Sequence, residues 1–363
     1  MELAIVGLAR SGKTSLFNAV TRSAIPTGGY SPGADPQVGV AHVPDDRLDR
    51  LTELFRPRRR TPAEIRWVDY PGSGVGDGEA GSRFLQQLAR SDALVHVVRA
   101  FESEVVPHAD GSVDADRDIE ALDLELILAD LGLIERRLER IEAEARSIRA
   151  AERGRLERDR ELLEGLRGDL GSGRALRSVE LDESARRDLA AYQFLTRLPV
   201  LRVVNISEAD LPRAAEIERD LAERHGGPRV AVAALCASLE AELAQLEASE
   251  AEAMRADLGV AEESPAGRAV SESYALLGLH SFLTVGDDEC RAWAVPVGAT
   301  APEAAGKIHS DLERGFIRAE VAHWQELLDA GSMAELKKRG RLRTEGKSYV
   351  VRDGDVLNIL FNV

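Results

Sequence analysis

The chain has 363 residues, enough for two or three domains with substantial cores. Lys and Arg number 47 against 63 Asp and Glu, and the net charge of −16 excludes a generally basic nucleic-acid-binding protein while allowing local basic patches. Cys236 and Cys290 lack metal-ligand spacing and no apolar run could span a bilayer, so we expect a cytoplasmic protein without a disulfide framework.

The strongest motif lies near the N-terminus, where GLARSGKT at residues 7–14 fits G-x-x-x-x-G-K-[ST]. A predicted strand at residues 3–6 precedes it, leaving no room for a signal peptide, and a predicted helix at 15–20 follows. Such a loop turns backbone N–H groups toward one anion, and the helix N-terminus adds positive potential. Lys13 is predicted to contact the β- and γ-phosphates and Thr14 to ligate Mg²⁺. A chance glycine turn is the alternative. The predicted nucleotide-binding residues here are Ala9, Arg10, Ser11, Gly12, Lys13, Thr14 and Ser15.

The next segment alternates loops with short elements. Residues 25–39 are rich in Pro and Gly without periodicity and lie where P-loop GTPases have switch I. Residues 46–55 predict an amphipathic helix. The basic run at 56–60 is either a solvated turn or a binding patch.

A predicted strand from residue 65 ends in the D-x-x-G sequence Asp69-Tyr70-Pro71-Gly72. Asp69 at that position can hold a Mg²⁺-bound water, and the Gly72 N–H can contact the γ-phosphate. The glycine-rich residues 73–81 predict a mobile segment that is either a switch or a passive linker. His96, in the predicted strand 93–98, is interpreted as a core histidine.

From about residue 117, apolar residues recur every three or four positions in a charged background. The pattern breaks near Arg153 and Gly154 and resumes until residue 171. Two helices in an antiparallel hairpin are predicted, forming either a self-contained arm or a partner-binding one.

Strand and helix patterns then alternate again. A strand at 199–204 ends at Asn205-Ile206-Ser207-Glu208, a helix covers 214–224, and a strand at 230–235 ends at Cys236-Ala237-Ser238. This alternation predicts a doubly wound parallel α/β sheet with ligand loops at the strand C-termini.

Beyond residue 278 the sequence predicts a small α+β domain. Its predicted elements are strands at 281–285 and 291–295, a helix at 301–313, and strands at 348–351 and 356–360 around a turn at 353–355.

With these residues placed, the chain resembles the YchF/Obg-like ATPase family of P-loop GTPases. The similar runs are GKTSLFNAVT (12–21), VGVAHVPDDRLDRL (38–51), ADL (129–131), VNISE (204–208), RAW (291–293), VGATA (297–301), KIHSDLERGFIRAE (307–320) and DGDV (353–356). The resemblance implies a Ras-like nucleotide-binding domain (1–116 and 197–277), an inserted coiled-coil arm (117–196) and a ubiquitin-like β-grasp TGS domain (278–363). It also implies ribosome association and a preference for ATP over GTP.

The base preference has a physical explanation. GTPases carry N-K-x-D, whose Asp accepts two hydrogen bonds from guanine, whereas Asn205 to Glu208 place the carboxylate one methylene further out. Losing such a pair costs about 1–3 kcal/mol, enough to relax guanine selectivity. Ile206 is expected to offer an apolar face to the base. Cys236, Ala237 and Ser238 are predicted to complete the nucleotide site.

Several positions depart from the family pattern. Arg10 lies in a P-loop that usually reads P-N-V-G-K-S, and its guanidinium either adds charge beside the phosphates or points away. Gly33 takes the place of the switch I threonine, and Ser73 follows Gly72 where Ras-like enzymes have a glutamine. His108 matches a family histidine and is either a water-positioning residue or an ordinary loop histidine.

We therefore expect a slow Mg²⁺-dependent ATPase or GTPase that acts as a switch on ribosomes. A non-hydrolysing nucleotide-binding scaffold is the alternative, and a metabolic kinase is disfavoured because no second substrate domain is apparent. The sequence leaves the oligomeric state open, with a monomer expected. The candidate RNA contact, which a solvated basic loop would also explain, is Lys337, Lys338, Arg339, Arg341, Arg343 and Lys347.

Overall fold

The computed structural model describes residues 1–27, 35–70, 79–108, 111–146, 150–259 and 264–362. The chain divides into two compact units, one of residues 1–39 and 66–266 and the other of 40–65 and 267–363. No helix in the described ranges is both long and apolar enough to cross a membrane.

The elements of the first half are β1 (Glu2–Val6), α1 (Lys13–Thr21), β2 (Gln37–His42), α2 (Asp46–Phe55), β3 (Arg59–Thr61), β4 (Glu64–Asp69), α3 (Glu79–Leu88), β5 (Ala93–Ala100), α4 (Ala115–Ala145) and α5 (Ala150–Gly171). Those of the second half are α6 (Glu183–Asp188), β6 (Val200–Ile206), α7 (Ala214–His225), β7 (Val230–Leu235), α8 (Ala237–Leu243), α9 (Ala248–Asp257), α10 (Pro265–Leu276), β8 (Leu279–Thr284), β9 (Glu289–Pro296), α11 (Ala301–Ile308), α12 (Ser310–Arg314), β10 (Phe316–His323), α13 (Trp324–Ala330), α14 (Met333–Lys338), β11 (Arg343–Glu345) and β12 (Asp355–Phe361). Short 3₁₀ helices cover Leu176–Ser178, Leu189–Ala191, Leu195–Arg197 and Glu208–Arg213.

The first sheet has the order β2-β4-β1-β5-β6-β7. Strands β4, β1, β5, β6 and β7 are parallel, and β6 is buried along its whole length. Near-continuous apolar strands of this kind form because helices cover both faces of a parallel sheet. The segments that follow β1, β4, β6 and β7 therefore begin at the same edge, as predicted for a doubly wound sheet.

Helices α4 and α5 form the predicted helical pair. Their apolar stripes share one core with the segment that returns to β6, including Ile134, Leu138, Leu163, Leu166, Leu189 and Phe194. Arg137 on α4 lies 3.6 Å from Asp159 on α5, as expected for a helical hairpin. The N-terminal half of α4 instead packs on the sheet, where Leu122 and Leu126 join the core around Val6. One continuous helix thus belongs to both the sheet core and the arm.

The second unit contains a sheet of order β11-β10-β12-β8-β9-β3. Strands β8 and β9 form an antiparallel hairpin, and β12 runs parallel to β8 and antiparallel to β10. Helix α11 buries Ala301, Ala304 and Ala305 in the core with Phe282 and Leu357. A hairpin, a helix and further strands in this order agree with the predicted α+β domain.

Residues 40–65 contribute an unexpected strand to this unit. The predicted basic turn at 56–60 is partly wrong, because Arg59 and Arg60 lie in β3, parallel to β9 with Arg60 opposite Cys290. The arginines are exposed but ion-paired, Arg58 with Asp288, Arg59 with Glu289 and Arg60 with Asp49. The predicted domain ranges stay a prediction.

Four other predictions need correction. The helical pattern does not break at Gly154, which lies inside α5, and Gly81 lies in α3 rather than in a mobile segment. Residues 348–351 are not a strand, although Val350 makes an isolated bridge with Thr300. The predicted helix at 301–313 is interrupted at His309. Strand β10 was not anticipated, although its residues 317–321 alternate between apolar and polar.

Candidate nucleotide-binding site

The segment between β1 and α1 is a tight loop built on two glycines with positive φ, Gly7 at 141° and Gly12 at 100°. A Cβ at Gly7 would lie 2.4 Å from the Val97 carbonyl oxygen, and one at Gly12 would lie 2.1 Å from Asn205 Nδ2. These approaches are too close for any side chain, so the loop requires glycine at both positions. The G-x-x-x-x-G spacing of the sequence is explained by this geometry.

The Lys13 side chain lies within the loop. Its Nζ donates to the carbonyl oxygens of Gly7, at 3.0 Å, and Leu8, at 2.9 Å. Burial lowers the pKa of Lys13 from 10.5 to about 8, against the opposing effect of the Asp69 charge. A buried ammonium that donates to neutral carbonyls has lost hydration, and a bound anion would favour its charged form.

Thr14 and Asp69, the two residues predicted at the metal site, contact each other. The Thr14 hydroxyl donates to Asp69 Oδ2 at 2.8 Å, which joins the start of α1 to the end of β4. Burial raises the pKa of Asp69, while the hydroxyl and the Lys13 charge oppose that rise. One hydroxyl and one carboxylate fit Mg²⁺, which prefers oxygen ligands and takes the rest from phosphates and water. Within the described ranges there is no cluster of three or more metal-binding side chains.

Asn205 connects the loop to two strand ends. Its Nδ2 donates to the Ser11 carbonyl oxygen at 2.9 Å, and its Oδ1 accepts from the Ala237 N–H at 2.9 Å. The side chain is buried, so both contacts are made in a low dielectric and each would be costly to leave unsatisfied. The predicted convergence of the segments after β1, β6 and β7 is therefore mediated by one amide.

The residues predicted to contact the base divide into exposed and buried ones. Glu208 and Ser238 are exposed, whereas Cys236 and Ala237 are buried, with Cys236 Sγ 3.3 Å from Ser238 Oγ. The expectation that Ile206 offers an apolar face to the base is not supported. Its side chain is 1% exposed and packs in the core with Val98, Val204 and Leu221.

Arg10 and His108 have different surroundings. Arg10 is exposed and has a φ of 64°, unusual for a residue other than glycine. The His108 ring is 4% exposed, and its Nε2 lies 3.0 Å from Oδ2 of Asp118. Asp118 was not singled out in the sequence, since an Asp in the first turn of a helix is ordinary. Gly33, Gly72 and Ser73 lie outside the described residues.

The predicted basic cluster is largely ion-paired. Lys337 contacts Glu320, Lys338 and Arg339 contact Glu335, Arg341 contacts Glu326, and Arg343 contacts Glu345 and Asp355. For Lys347 there is no ion pair with any residue that the structure describes. This surface is mixed in charge rather than uniformly positive.

Known families match both ends of the chain. A family described as 50S ribosome-binding GTPase matches residues 2–130, and the C-terminal family of YchF GTPases, described as a protein of unknown function, matches residues 279–362.

Full-length relatives are also found. The Bacillus subtilis ribosome-binding ATPase YchF is 40% identical over 371 residues, covering 99% of this chain and 98% of the relative. The Escherichia coli O157:H7 protein of the same name is 37% identical over 365 residues, covering 99% and 98%. Obg-like ATPase 1 of Oryza sativa is 35% identical over 372 residues, covering 100% and 92%. The solved structure of the Schizosaccharomyces pombe YchF GTPase matches with a TM-score of 0.85 at 29% identity, covering 99% of this chain and 97% of that one.

Proposed function

The chain belongs to the YchF family, and from this premise we propose that it is a ribosome-associated P-loop nucleoside triphosphatase that binds ATP with Mg²⁺ and hydrolyses it slowly. The observation that carries the proposal is the hydrogen bond from Thr14 to Asp69 beside the Lys13 ammonium. A hydroxyl, a carboxylate and an ammonium around a glycine loop have the chemistry that a Mg²⁺-triphosphate needs. We also propose that the protein acts in the cytoplasm, where ribosomes are.

The proposed roles at the phosphates follow from charge and position. Thr14 and Asp69 would hold Mg²⁺, which would supply positive charge beside the phosphates. Lys13 would exchange its contacts with Gly7 and Leu8 for the β- and γ-phosphates. The exposed Arg10 is proposed to add positive charge at the mouth of the loop, and the Gly72 N–H to contact the γ-phosphate.

Glu208 is proposed to weaken guanine recognition because its carboxylate lies one methylene further out than the usual aspartate. Its exposure leaves it accessible to a base. We expect calorimetry to give an ATP affinity at least equal to that for GTP, and Glu208→Asp to shift the preference toward GTP by about tenfold, which corresponds to the loss or gain of one hydrogen-bond pair. A strong wild-type preference for GTP would contradict this explanation.

Hydrolysis is tested by phosphate release from Mg²⁺-ATP. Wild-type protein should release phosphate slowly but well above Lys13→Ala, which removes the ammonium and leaves the Thr14 and Asp69 pair in place. Release equal to that of Lys13→Ala would favour the alternative, a nucleotide-binding scaffold. That alternative is motivated by Gly33 and Ser73 at positions where a threonine and a glutamine would assist hydrolysis.

Ribosome association is tested by co-sedimentation. We expect binding that depends on whether ADP or a non-hydrolysable ATP analogue is bound. The basic cluster from Lys337 to Lys347 remains a proposed contact, and changing Lys337, Lys338 and Arg341 together to Gln should weaken binding if the cluster meets RNA. Unchanged binding would indicate a solvated basic surface.

A further inference from the structure

We propose that the buried ion pair of Glu240 and Arg255 positions the base segment, residues 236–238, and thereby sets affinity for the base of the nucleotide rather than for its phosphates. The inference rests on the proposed function and on the predicted place of the base segment in the nucleotide site. No sequence motif pointed to either member of the pair.

Printed contacts connect the base segment to the phosphate loop. Helix α8 begins at Ala237, whose N–H donates to Asn205 Oδ1 at 2.9 Å, and Asn205 Nδ2 donates to the Ser11 carbonyl oxygen at 2.9 Å. The Glu240 N–H closes the first turn of α8 by donating to the Cys236 carbonyl oxygen at 3.0 Å. Glu240 therefore lies one turn from the base segment, on a helix whose start is tied to the phosphate loop.

The carboxylate of Glu240 accepts four hydrogen bonds. Arg255 on α9 donates to it as a fork, with Nη1 2.7 Å from Oε1 and Nη2 3.0 Å from Oε2. The Ser264 hydroxyl donates to Oε2 at 2.8 Å, and the Ala266 N–H donates to the same oxygen at 3.3 Å. Glu240 and Arg255 are 4% and 8% exposed, so the pair is shielded from water. Two parallel hydrogen bonds fix the plane of the carboxylate as well as its distance from the guanidinium.

The fork supplies a constraint that the apolar face of α8 does not. Leu239 and Leu243 pack in the core beside the first sheet, and hydrophobic burial of this kind is non-directional. It holds the helix against the sheet without fixing its rotation about its own axis. Because two residues turn a helix by about 200°, the buried Glu240 and the exposed Ser238 point to opposite sides of α8. Holding Glu240 from behind therefore sets the direction in which Ser238 faces.

Stability alone is a poor explanation for this pair. Taking two charges out of water costs about as much as their attraction returns, and apolar residues of similar volume often stabilise a fold equally well. A fork between charged groups does fix orientation, which apolar side chains do not. A pair of this kind one turn from the base segment is therefore assigned an orienting role.

The first test compares ATP with inorganic tripolyphosphate, which has no base. Arg255→Met removes the fork and should lower ATP affinity by about tenfold, the equivalent of one hydrogen-bonded contact to the base. Affinity for tripolyphosphate should stay within about twofold of wild type, because Lys13 and Thr14 remain in place. Displacement of a fluorescent ATP analogue measures both affinities. Equal losses for the two ligands would overturn the proposal.

Asp130→Ala is the matched control for a general loss of stability. Asp130 is also a buried carboxylate with several donors, but it holds the segment before β6 rather than α8. Affinities of this variant for ATP and tripolyphosphate should both stay within about twofold of wild type. A selective loss of ATP affinity in Asp130→Ala would show that destabilisation alone produces the effect, and the proposal would fail.

The double variant Glu240→Met with Arg255→Met separates orientation from stability. It removes both charges together, so it should unfold at a higher denaturant concentration than Arg255→Met, which leaves a buried carboxylate without its cation. Its ATP affinity should nevertheless stay low, because the fork is absent. Recovery of ATP affinity together with stability would contradict an orienting role.

Two measurements keep the proposal testable if Arg255→Met fails to fold. Arg255→Lys keeps the positive charge without the fork, so it should fold and still lose ATP affinity selectively. In the wild-type chain, hydrogen exchange in peptides that contain residues 236–240 should slow with Mg²⁺-ATP but not with Mg²⁺-tripolyphosphate. Wild-type ATP affinity in Arg255→Lys, or equal protection by the two ligands, would overturn the proposal.

Failure of this inference is distinguishable from failure of the proposed function. Wild-type protein that binds neither ATP nor tripolyphosphate rejects the proposed function and this inference with it. Wild-type protein that binds ATP, with equal losses for both ligands in Arg255→Met, rejects only the orienting role of the pair.

Discussion

The surroundings of Lys13 should make phosphate binding depend on the protonation of its side chain. Its ammonium is buried, donates to carbonyl oxygens of its own loop and to no other group among the described residues, and lies close enough to Asp69 for their charges to interact. Burial therefore sets the pKa of this side chain, and any anion that enters the loop changes it. The residue that a motif marks as a phosphate ligand thus has a pKa near the physiological range.

We predict that ATP affinity falls as pH rises above about 8, by up to tenfold per pH unit, because free protein then loses the Lys13 proton that phosphate binding requires. Calorimetry from pH 7 to 9.5 with Mg²⁺-ATP checks this. Lys13→Arg, which stays charged, should bind more weakly but show no such decline. A wild-type affinity that is constant to pH 9.5 would contradict the lowered pKa.

The pH dependence of folding stability has the opposite sign, because stability rises with pH where ATP affinity falls. Since the folded pKa of Lys13 is about 8 and the ordinary value is 10.5, the unfolded chain binds more protons between those values. Burial of this charge therefore destabilises the nucleotide-free fold most below about pH 8, and the penalty disappears as pH rises toward about 10.5. The proposed contact with the β- and γ-phosphates needs the ammonium, so this cost is the expected consequence of that role.

At the scale of elements, helix α4 connects the arm to the sheet, because it contributes residues to both cores. Its buried Asp130 accepts from the Leu195 N–H at 2.9 Å, the Thr196 N–H at 2.8 Å and the Thr196 hydroxyl at 2.6 Å. These contacts hold the segment that returns from the arm into β6. Three donors on one carboxylate explain why an acidic residue is tolerated in the apolar stripe of the helix.

We predict that Asp130→Ala lowers the free energy of unfolding by about 3 kcal/mol, because it leaves three buried donors without an acceptor. Denaturant unfolding measures the change. Glu135→Ala is the matched control on the exposed face of α4 and should change stability by no more than about 0.5 kcal/mol. Equal effects in the two variants would show that the hydrogen bonds of Asp130 contribute little.

The short strand β3 also depends on partners that are distant in sequence. Its three residues have no apolar pattern, and they pair with β9 through the backbone and through Thr61 and Arg59, both of which contact Glu289. A basic run that looks like a solvated turn can thus become an edge strand when acidic partners line the neighbouring strand.

At the scale of the whole molecule, the acidic excess limits the positive potential that the chain could present to the proposed ribosomal partner. The net charge is −16, and five residues of the basic cluster, all but Lys347, contact carboxylates within 4 Å. Exposed ion pairs of this kind contribute little to stability, but they reduce the positive potential that phosphates would meet.

We predict that ribosome binding depends weakly on salt. A plot of log affinity against log salt concentration should have a slope of magnitude below about 3, since the cations of the basic cluster are largely paired with carboxylates. Binding measured between 50 and 300 mM KCl with a fixed Mg²⁺ concentration, roughly the range over which such slopes are resolved, tests this. A slope of magnitude about 6 or more would mean that phosphate contacts dominate.

Local chemistry and periodicity were sufficient to predict many of the elements of this protein. The glycine loop with Lys13 and Thr14, the strand end at Asp69, the amphipathic helix α2 and the paired helices α4 and α5 follow from spacing and hydrophobic pattern, because each is determined by residues close in sequence. The family resemblance rested partly on these segments and partly on runs further along the chain, at 204–208, 291–293, 297–301, 307–320 and 353–356.

Only the tertiary structure decided which distant residues meet. Asn205 bridges Ser11 and Ala237, Asp118 holds His108, β3 joins β9 across more than two hundred residues, and Ile206 faces the core instead of a base. None of these contacts has a local signature, since a buried hydrogen bond or an added strand depends on what the rest of the fold brings alongside. The sequence identified the residues that can bind a phosphate. Packing determined which distant residues contact them and fix their positions.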